Sequence, residues 1–268
     1  MTDLCQEVLS NIYSKYGYDF RDYSPEMITR RMQYSMDREN VADLSEFNEL
    51  LMSKKDVFAR LVNDFSINVS AMFRDPEVWR HLRENVIPGL KSYPIIRIWS
   101  AGTASGQEAY SLAILLKEAG LYDRSIIYAT DLNPISLDKA AQGRYSLEKM
   151  AQYTANYYRS GGSEDFSKYF TTNPHSAQLD PELQKNIVFC THSLEADGVF
   201  NQFQLILCRN VLIYFNNRLV DRVFRLFSDS LVTRGNLCLG ARESMFPYES
   251  KRFFTQDNFD QQVFKRAF

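Results

Sequence analysis

At 268 residues, 45% hydrophobic and 24% charged, the chain is long enough for one substantial core plus a smaller accessory domain, and its makeup is that of an ordinary globular protein. A formal charge of −2 argues against nucleic acid as the main partner, and the lack of any run of about 18 apolar residues argues against membrane insertion. Four scattered cysteines and three histidines predict neither a disulfide framework nor a zinc site, and the first residues lack the basic-then-apolar texture of a secretory signal, so a cytoplasmic protein with reduced thiols is expected.

In chain order, the segment up to about Trp79 has helical texture. Leu4, Val8, Leu9 and Ile12 recur at helix spacing, as do Met27, Ile28 and Met32. Leu44, Phe47, Leu50 and Leu51 repeat the pattern, with Ser45 as the expected N-cap. These runs predict a helical domain over residues 1–80. From 81 to 268 the texture alternates between short β-branched runs and amphipathic stretches. Ile95–Trp99, Ser125–Thr130, Ile187–Cys190, Leu205–Cys208 and Leu237–Gly240 read as strands; about 106–119, 135–142 and 218–231 read as helices. That alternation predicts an α/β fold, a mostly parallel Rossmann-like sheet with helices on both faces and its ligand beyond the carboxyl ends of the strands. Residues from about 153 to 190 break the pattern. Polar, with Gly161-Gly162 and Pro174 and no helical stripe, they predict a small antiparallel appendage or a long ordered loop.

Four segments carry candidate chemistry. Ser100-Ala101-Gly102-Thr103-Ala104-Ser105-Gly106 follows a strand and precedes a helix, a turn that lets backbone approach a ligand closely. It is neither a P-loop nor Gly-x-Gly-x-x-Gly. Asp131 ends the next strand, where a carboxylate can accept hydrogen bonds from ribose hydroxyls or cap the following helix. Cys208-Arg209-Asn210-Val211-Leu212-Ile213-Tyr214-Phe215 puts polar groups at the end of an apolar strand, with Tyr214 open between a core ring and a site residue. Asn68-Val69-Ser70-Ala71-Met72-Phe73-Arg74 has no function that spacing alone assigns.

Together these segments resemble the chemotaxis receptor methyltransferase (CheR) family, in order and over nearly the whole chain. Asn68, Ser70, Met72, Phe73 and Arg74 match its Asn-x-Thr-x-Phe-Phe-Arg segment; Ser100–Ser111, Ala129–Asp131 and Cys208–Phe215 match its later motifs, and Tyr23 with Arg30-Arg31 matches its helical start. Ser70 stands for threonine, Met72 for phenylalanine, Gln107 and Ala109 for glutamate and proline, and Ser193 for asparagine.

The resemblance implies S-adenosylmethionine as cofactor, no metal, and transfer of its methyl group to glutamate carboxylates of a chemoreceptor or related signalling protein. It implies Asn68, Ser70, Arg74, Gly102, Glu108, Asp131, Ser193, Leu194, Arg209 and Asn210 as cofactor contacts. Glu108 would take the methionyl amino group and Asp131 the ribose, with Arg74 and Tyr214 aligning the acceptor. Two other readings stand beside it: a methyltransferase acting on another nucleophile, and a module that binds the cofactor without turnover.

Overall fold

The computed structural model describes residues 3–66, 70–245, 248–256 and 262–268. Four helices open the chain: α1 (Asp3–Tyr16), α2 (Pro25–Glu39), α3 (Leu44–Ser53) and α4 (Lys55–Phe65). Their inward residues are largely the expected ones, although Cys5 rather than Leu4 takes the first buried place on α1. The cap of α3 also differs from expectation. Asp43, not Ser45, accepts the backbone N–H groups of Ser45 at 2.7 Å and Glu46 at 3.2 Å, so the helix starts two residues earlier. A carboxylate there also complements the helix dipole, which a serine hydroxyl does not. Buried Asp64 ties α4 to α2, pairing with Arg38 and accepting the Ser35 hydroxyl at 2.8 Å.

After α5 (Pro76–His81), a π-helical turn over Leu82–Val86 and α6 (Ile87–Leu90), the α/β part begins. It runs β1 (Ile96–Ala101), α7 (Gln107–Glu118), β2 (Ser125–Asp131), α8 (Pro134–Gln142), β3 (Arg144–Ser146), α9 (Leu147–Arg159), β4 (Phe170–Thr172), β5 (Ser176–Leu179), β6 (Ile187–Thr191), β7 (Phe203–Cys208), α10 (Asn217–Ser230), β8 (Leu231–Leu239), β9 (Phe254–Thr255) and β10 (Val263–Arg266). Among the described residues the main sheet has seven strands in the order β6-β2-β1-β7-β8-β10-β9. The first five are mutually parallel; β10 joins β8 and β9 antiparallel. Strand order reverses between β1 and β7, which opens a crevice at their carboxyl ends.

β3, β5 and β4 form a separate antiparallel sheet; β4 and β5 fall within the expected appendage, whereas β3 comes from before it, ahead of α9. The expectation of no helical stripe beyond Tyr153 does not hold, because α9 extends to Arg159. Its stripe consists of Met150, Tyr153 and Tyr157, all buried, and tyrosine reads as polar in a sequence pattern although its ring packs like a hydrocarbon.

Two apolar clusters flank the sheet. One continues from Val8, Ile12, Phe47 and Leu61 of the N-terminal helices through Phe20 and Tyr23 to Trp99, Phe224 and Phe227. The other packs α7, α9 and the appendage against the opposite face. The helical start therefore lies over the carboxyl-end crevice.

Candidate active site

The crevice holds a cavity of about 340 Å³, within the usual range for small-molecule sites. Its floor is the turn after β1. Gly102 has φ +71°, and its N–H and that of Thr103 both donate to the Thr130 carbonyl at 2.9 Å. A Cβ at Gly102 would lie 2.5 Å from Val211 Cγ2, so glycine is required both by the backbone angle and by the approach of the β7 loop. Asp131 holds this turn from the end of β2, accepting the Ala104 N–H at 2.9 Å and the Asn133 N–H at 3.0 Å. Asn133, not Asp131, caps α8, which removes the capping reading of Asp131. Burial pushes the Asp131 carboxyl up, and the backbone N–H donors pull it back.

A second carboxylate, Glu108, lies in the first turn of α7. It accepts the Ser100 hydroxyl at 2.9 Å and pairs with Arg209 at 3.3 Å. Burial raises it against the pull of Arg209 and Ser100. Arg209, its side chain 2% exposed, also pairs with Asp75 at 2.9 Å and donates to the Arg74 carbonyl at 2.8 Å. That carbonyl accepts the Trp79 indole N–H as well, at 3.0 Å. Phe73 and Asp75 on either side have positive φ (50° and 54°), a costly arrangement for residues with side chains, held here by the buried Phe73 ring and these bonds. The Arg209 guanidinium thus fixes the segment that carries Arg74.

Beyond β7 the chain turns sharply at Asn210, φ +61°. Glu243 organises this loop. One of its oxygens accepts the N–H groups of Asn210 (2.8 Å) and Gly240 (2.7 Å), the other those of Val211 and Leu212, both at 2.8 Å. Half-buried Tyr214 follows. Burial moves its hydroxyl above the usual phenol range, opposed by the positive charges of Arg31, Arg74 and Arg30. The loop is clasped from the helical side: Ser24 N–H donates to the Tyr214 carbonyl at 2.8 Å, Tyr23 bridges Phe215, and Asn216 N–H donates to the Asp22 carbonyl at 2.9 Å.

Of the residues singled out in the sequence, Ser70, Arg74, Gly102 and Glu108 line this one cavity, as do Asp131, Leu194, Arg209, Asn210 and Tyr214. Asn68 lies outside the described residues. Ser193 is not part of the wall; its hydroxyl donates to Glu195 at 2.6 Å, and Glu195 faces the cavity in its stead. The sequence reading also missed Glu243, although an acidic residue just past the last strand of a parallel sheet is a signal that could have found it. Phe20 and Phe65 were missed for a plainer reason, since their place over the cavity depends on how the helical domain docks.

A glycine turn after β1, a carboxylate ending β2 and a polar corner after β7, all meeting at the sheet's topological switch, define a nucleoside-binding α/β protein. Residues 68–262 match the family described as CheR methyltransferase, SAM binding domain, and residues 4–66 its all-alpha domain. The chain belongs to the CheR methyltransferase family, the S-adenosylmethionine-dependent methyltransferases of chemotaxis. It is 45% identical over 247 residues to a Pseudomonas putida protein named "Putative methyltransferase Cher3", covering 92% of this chain and 90% of that one. It is 33% identical to a chemotaxis protein methyltransferase of Listeria innocua (91% and 90% covered) and 27% identical to that of Escherichia coli K12 (90% and 84% covered).

Proposed function

We propose that this protein transfers the methyl group of S-adenosylmethionine to glutamate side chains of a chemoreceptor or related signalling protein, forming glutamyl methyl esters. The residues present fit the cofactor. Two half-buried carboxylates suit an ammonium group and a ribose diol, and Asn210 Oδ1 is a buried acceptor with no partner among the described residues. In this reading Glu108 receives the amino group, Asp131 the ribose hydroxyls, and the turn at Gly102 and the wall at Ser70 and Leu194 the rest. When bound, the cofactor supplies a methyl carbon made electrophilic by the attached sulfonium.

The observation that carries the choice of acceptor is the positive field around Tyr214. Arg74 lines the cavity together with Tyr214, and the charges of Arg31, Arg74 and Arg30 act on the Tyr214 hydroxyl against that of Glu243. An arginine and a phenol donor in one cavity wall suit an incoming carboxylate and disfavour an amine. A glutamate carboxylate, with an ordinary pKa of about 4.3, is ionised at neutral pH and needs no general base. What Arg74 and Tyr214 contribute is alignment, and alignment alone can contribute about 7–11 kcal/mol in well-placed systems. Relatives named chemotaxis protein methyltransferase support a signalling protein as the acceptor.

The test is transfer of labelled methyl groups to receptor fragments. Esters release the label as volatile methanol after mild alkali, whereas N-methyl groups retain it. Alkali-stable label would move the assignment to another nucleophile, and cofactor binding with no transfer at all to a binding module.

A further inference from the structure

The same cavity is lined by Leu132 and Leu194, which follow β2 and β6, and by Phe20 and Phe65 of the helical part. Glu195 lines the cavity as well, with Tyr23 donating its hydroxyl to Oε1 and Ser193 donating to Oε2 at 2.6 Å. It sits close to the end of β2, since His192, three residues earlier, donates its backbone N–H to the Asp131 carbonyl at 3.3 Å.

We propose that Glu195 is the residue that selects the base of the bound nucleoside, its carboxylate accepting a hydrogen from the exocyclic amino group of adenine. The proposal rests on the S-adenosylmethionine reading above. A carboxylate offers about four lone-pair directions across its two oxygens. Tyr23 and Ser193 occupy one on each oxygen, and both of those hydroxyl hydrogens are directed at Glu195 rather than at a ligand. What Glu195 presents to a base is therefore acceptor capacity. A 6-aminopurine meets it with an N–H. A 6-oxopurine meets it with another acceptor, and a buried pair of acceptors is repelled. The cofactor contact that the family resemblance implies for Ser193 passes in this way to Glu195, with Ser193 and Tyr23 holding it in position.

The experiment is titration of the whole chain with S-adenosylhomocysteine and with S-inosylhomocysteine, which differ at the 6-position of the base. A hydrogen bond to a charged group corresponds to about 10- to 100-fold in affinity. Wild type should therefore bind the amino ligand at least about tenfold more tightly, and Glu195→Gln, which keeps the shape but brings a donor, should bring the two affinities together. A merely structural Glu195–Tyr23 fastening would lower both affinities alike and leave their ratio unchanged. Equal affinities in wild type would overturn the proposal with no variant needed. So would an undiminished ratio in Glu195→Gln. If wild type binds neither ligand, the cofactor reading itself fails, a result distinct from failure of the base assignment.

Discussion

At the scale of single residues, the site separates groups that face the cavity from groups that hold them there. Tyr214 belongs to the first kind, and Asp131 to both, since it faces the cavity and also accepts the backbone N–H groups of Ala104 and Asn133. Tyr214→Phe removes one hydroxyl and keeps the ring, so kcat should fall while titration shows cofactor affinity nearly unchanged. Because burial keeps that hydroxyl above the ordinary phenol range, it stays protonated at neutral pH, and turnover should not decline through its titration between about pH 7 and 9. A steep loss there would assign the alignment to another group. Asp131→Ala should weaken cofactor binding by about 1.5–3 kcal/mol for each hydrogen bond lost to a charged group, read by calorimetry. Glu243 is of the second kind. Both of its oxygens accept pairs of backbone N–H groups, so the isosteric amide of Glu243→Gln must turn its NH2 toward one of those pairs. A cost of about 3 kcal/mol follows from buried donors left unpaired. In a chain of this length that is a fall in Tm of about 6–12 °C, with turnover reduced because the loop before Tyr214 loosens.

At the scale of elements, what the sequence made legible was whatever depends on near neighbours in the chain. β1, α7, β2, α8 and α10 fall within a residue or two of their expected bounds, because each has a clear period and its own terminators. α10 is the plainest case: Asn216 caps it by accepting the Leu219 N–H at 2.9 Å, and Leu219, Val223 and Phe227 fall on one buried face. α9 was illegible because its buried stripe is built of tyrosines whose hydroxyls find partners only in the fold; Tyr157 donates to Glu118, on α7. Likewise Arg209 read as a residue at the cavity rim, while its partners Asp75 and Glu108 come from two other elements. The turn after β1 was legible as a ligand turn, but its second constraint, the Val211 side chain, was not. Gly102→Ala tests both. The left-handed backbone costs about 1–2 kcal/mol with a side chain present, and overpacking against Val211 adds about 1–3 kcal/mol. The variant should melt earlier and bind cofactor more weakly, since relief of the clash moves the β7 loop away from the cavity floor.

At the scale of the whole molecule, the matched N-terminal and cofactor-binding regions are two segments of sequence but share one apolar core. The cluster that begins with Val8, Leu9 and Ile12 in α1 runs without interruption to Trp99 in β1 and Phe227 in α10. Backbone bonds reinforce it where residues 22–24 clasp 214–216. Two bodies joined this way should unfold together, because melting the helices would expose the sheet face beneath them. The chain supplies its own reporter, as its two tryptophans, Trp79 and Trp99, both lie outside the N-terminal helices. Leu9 is fully buried in α1, and Leu9→Ala should cost about 2–5 kcal/mol as a cavity substitution. That corresponds to a fall in melting midpoint of about 4–20 °C. If the core is shared, tryptophan fluorescence must report the same lowered midpoint as far-ultraviolet circular dichroism, although the substitution lies in a helix that carries no tryptophan. A fluorescence midpoint left at the wild-type value, with only part of the dichroism lost early, would mean that the helices melt alone. Since Phe20, Tyr23 and Phe65 wall the cavity from the helical side, cofactor should then raise the fluorescence midpoint far less in the variant than in wild type.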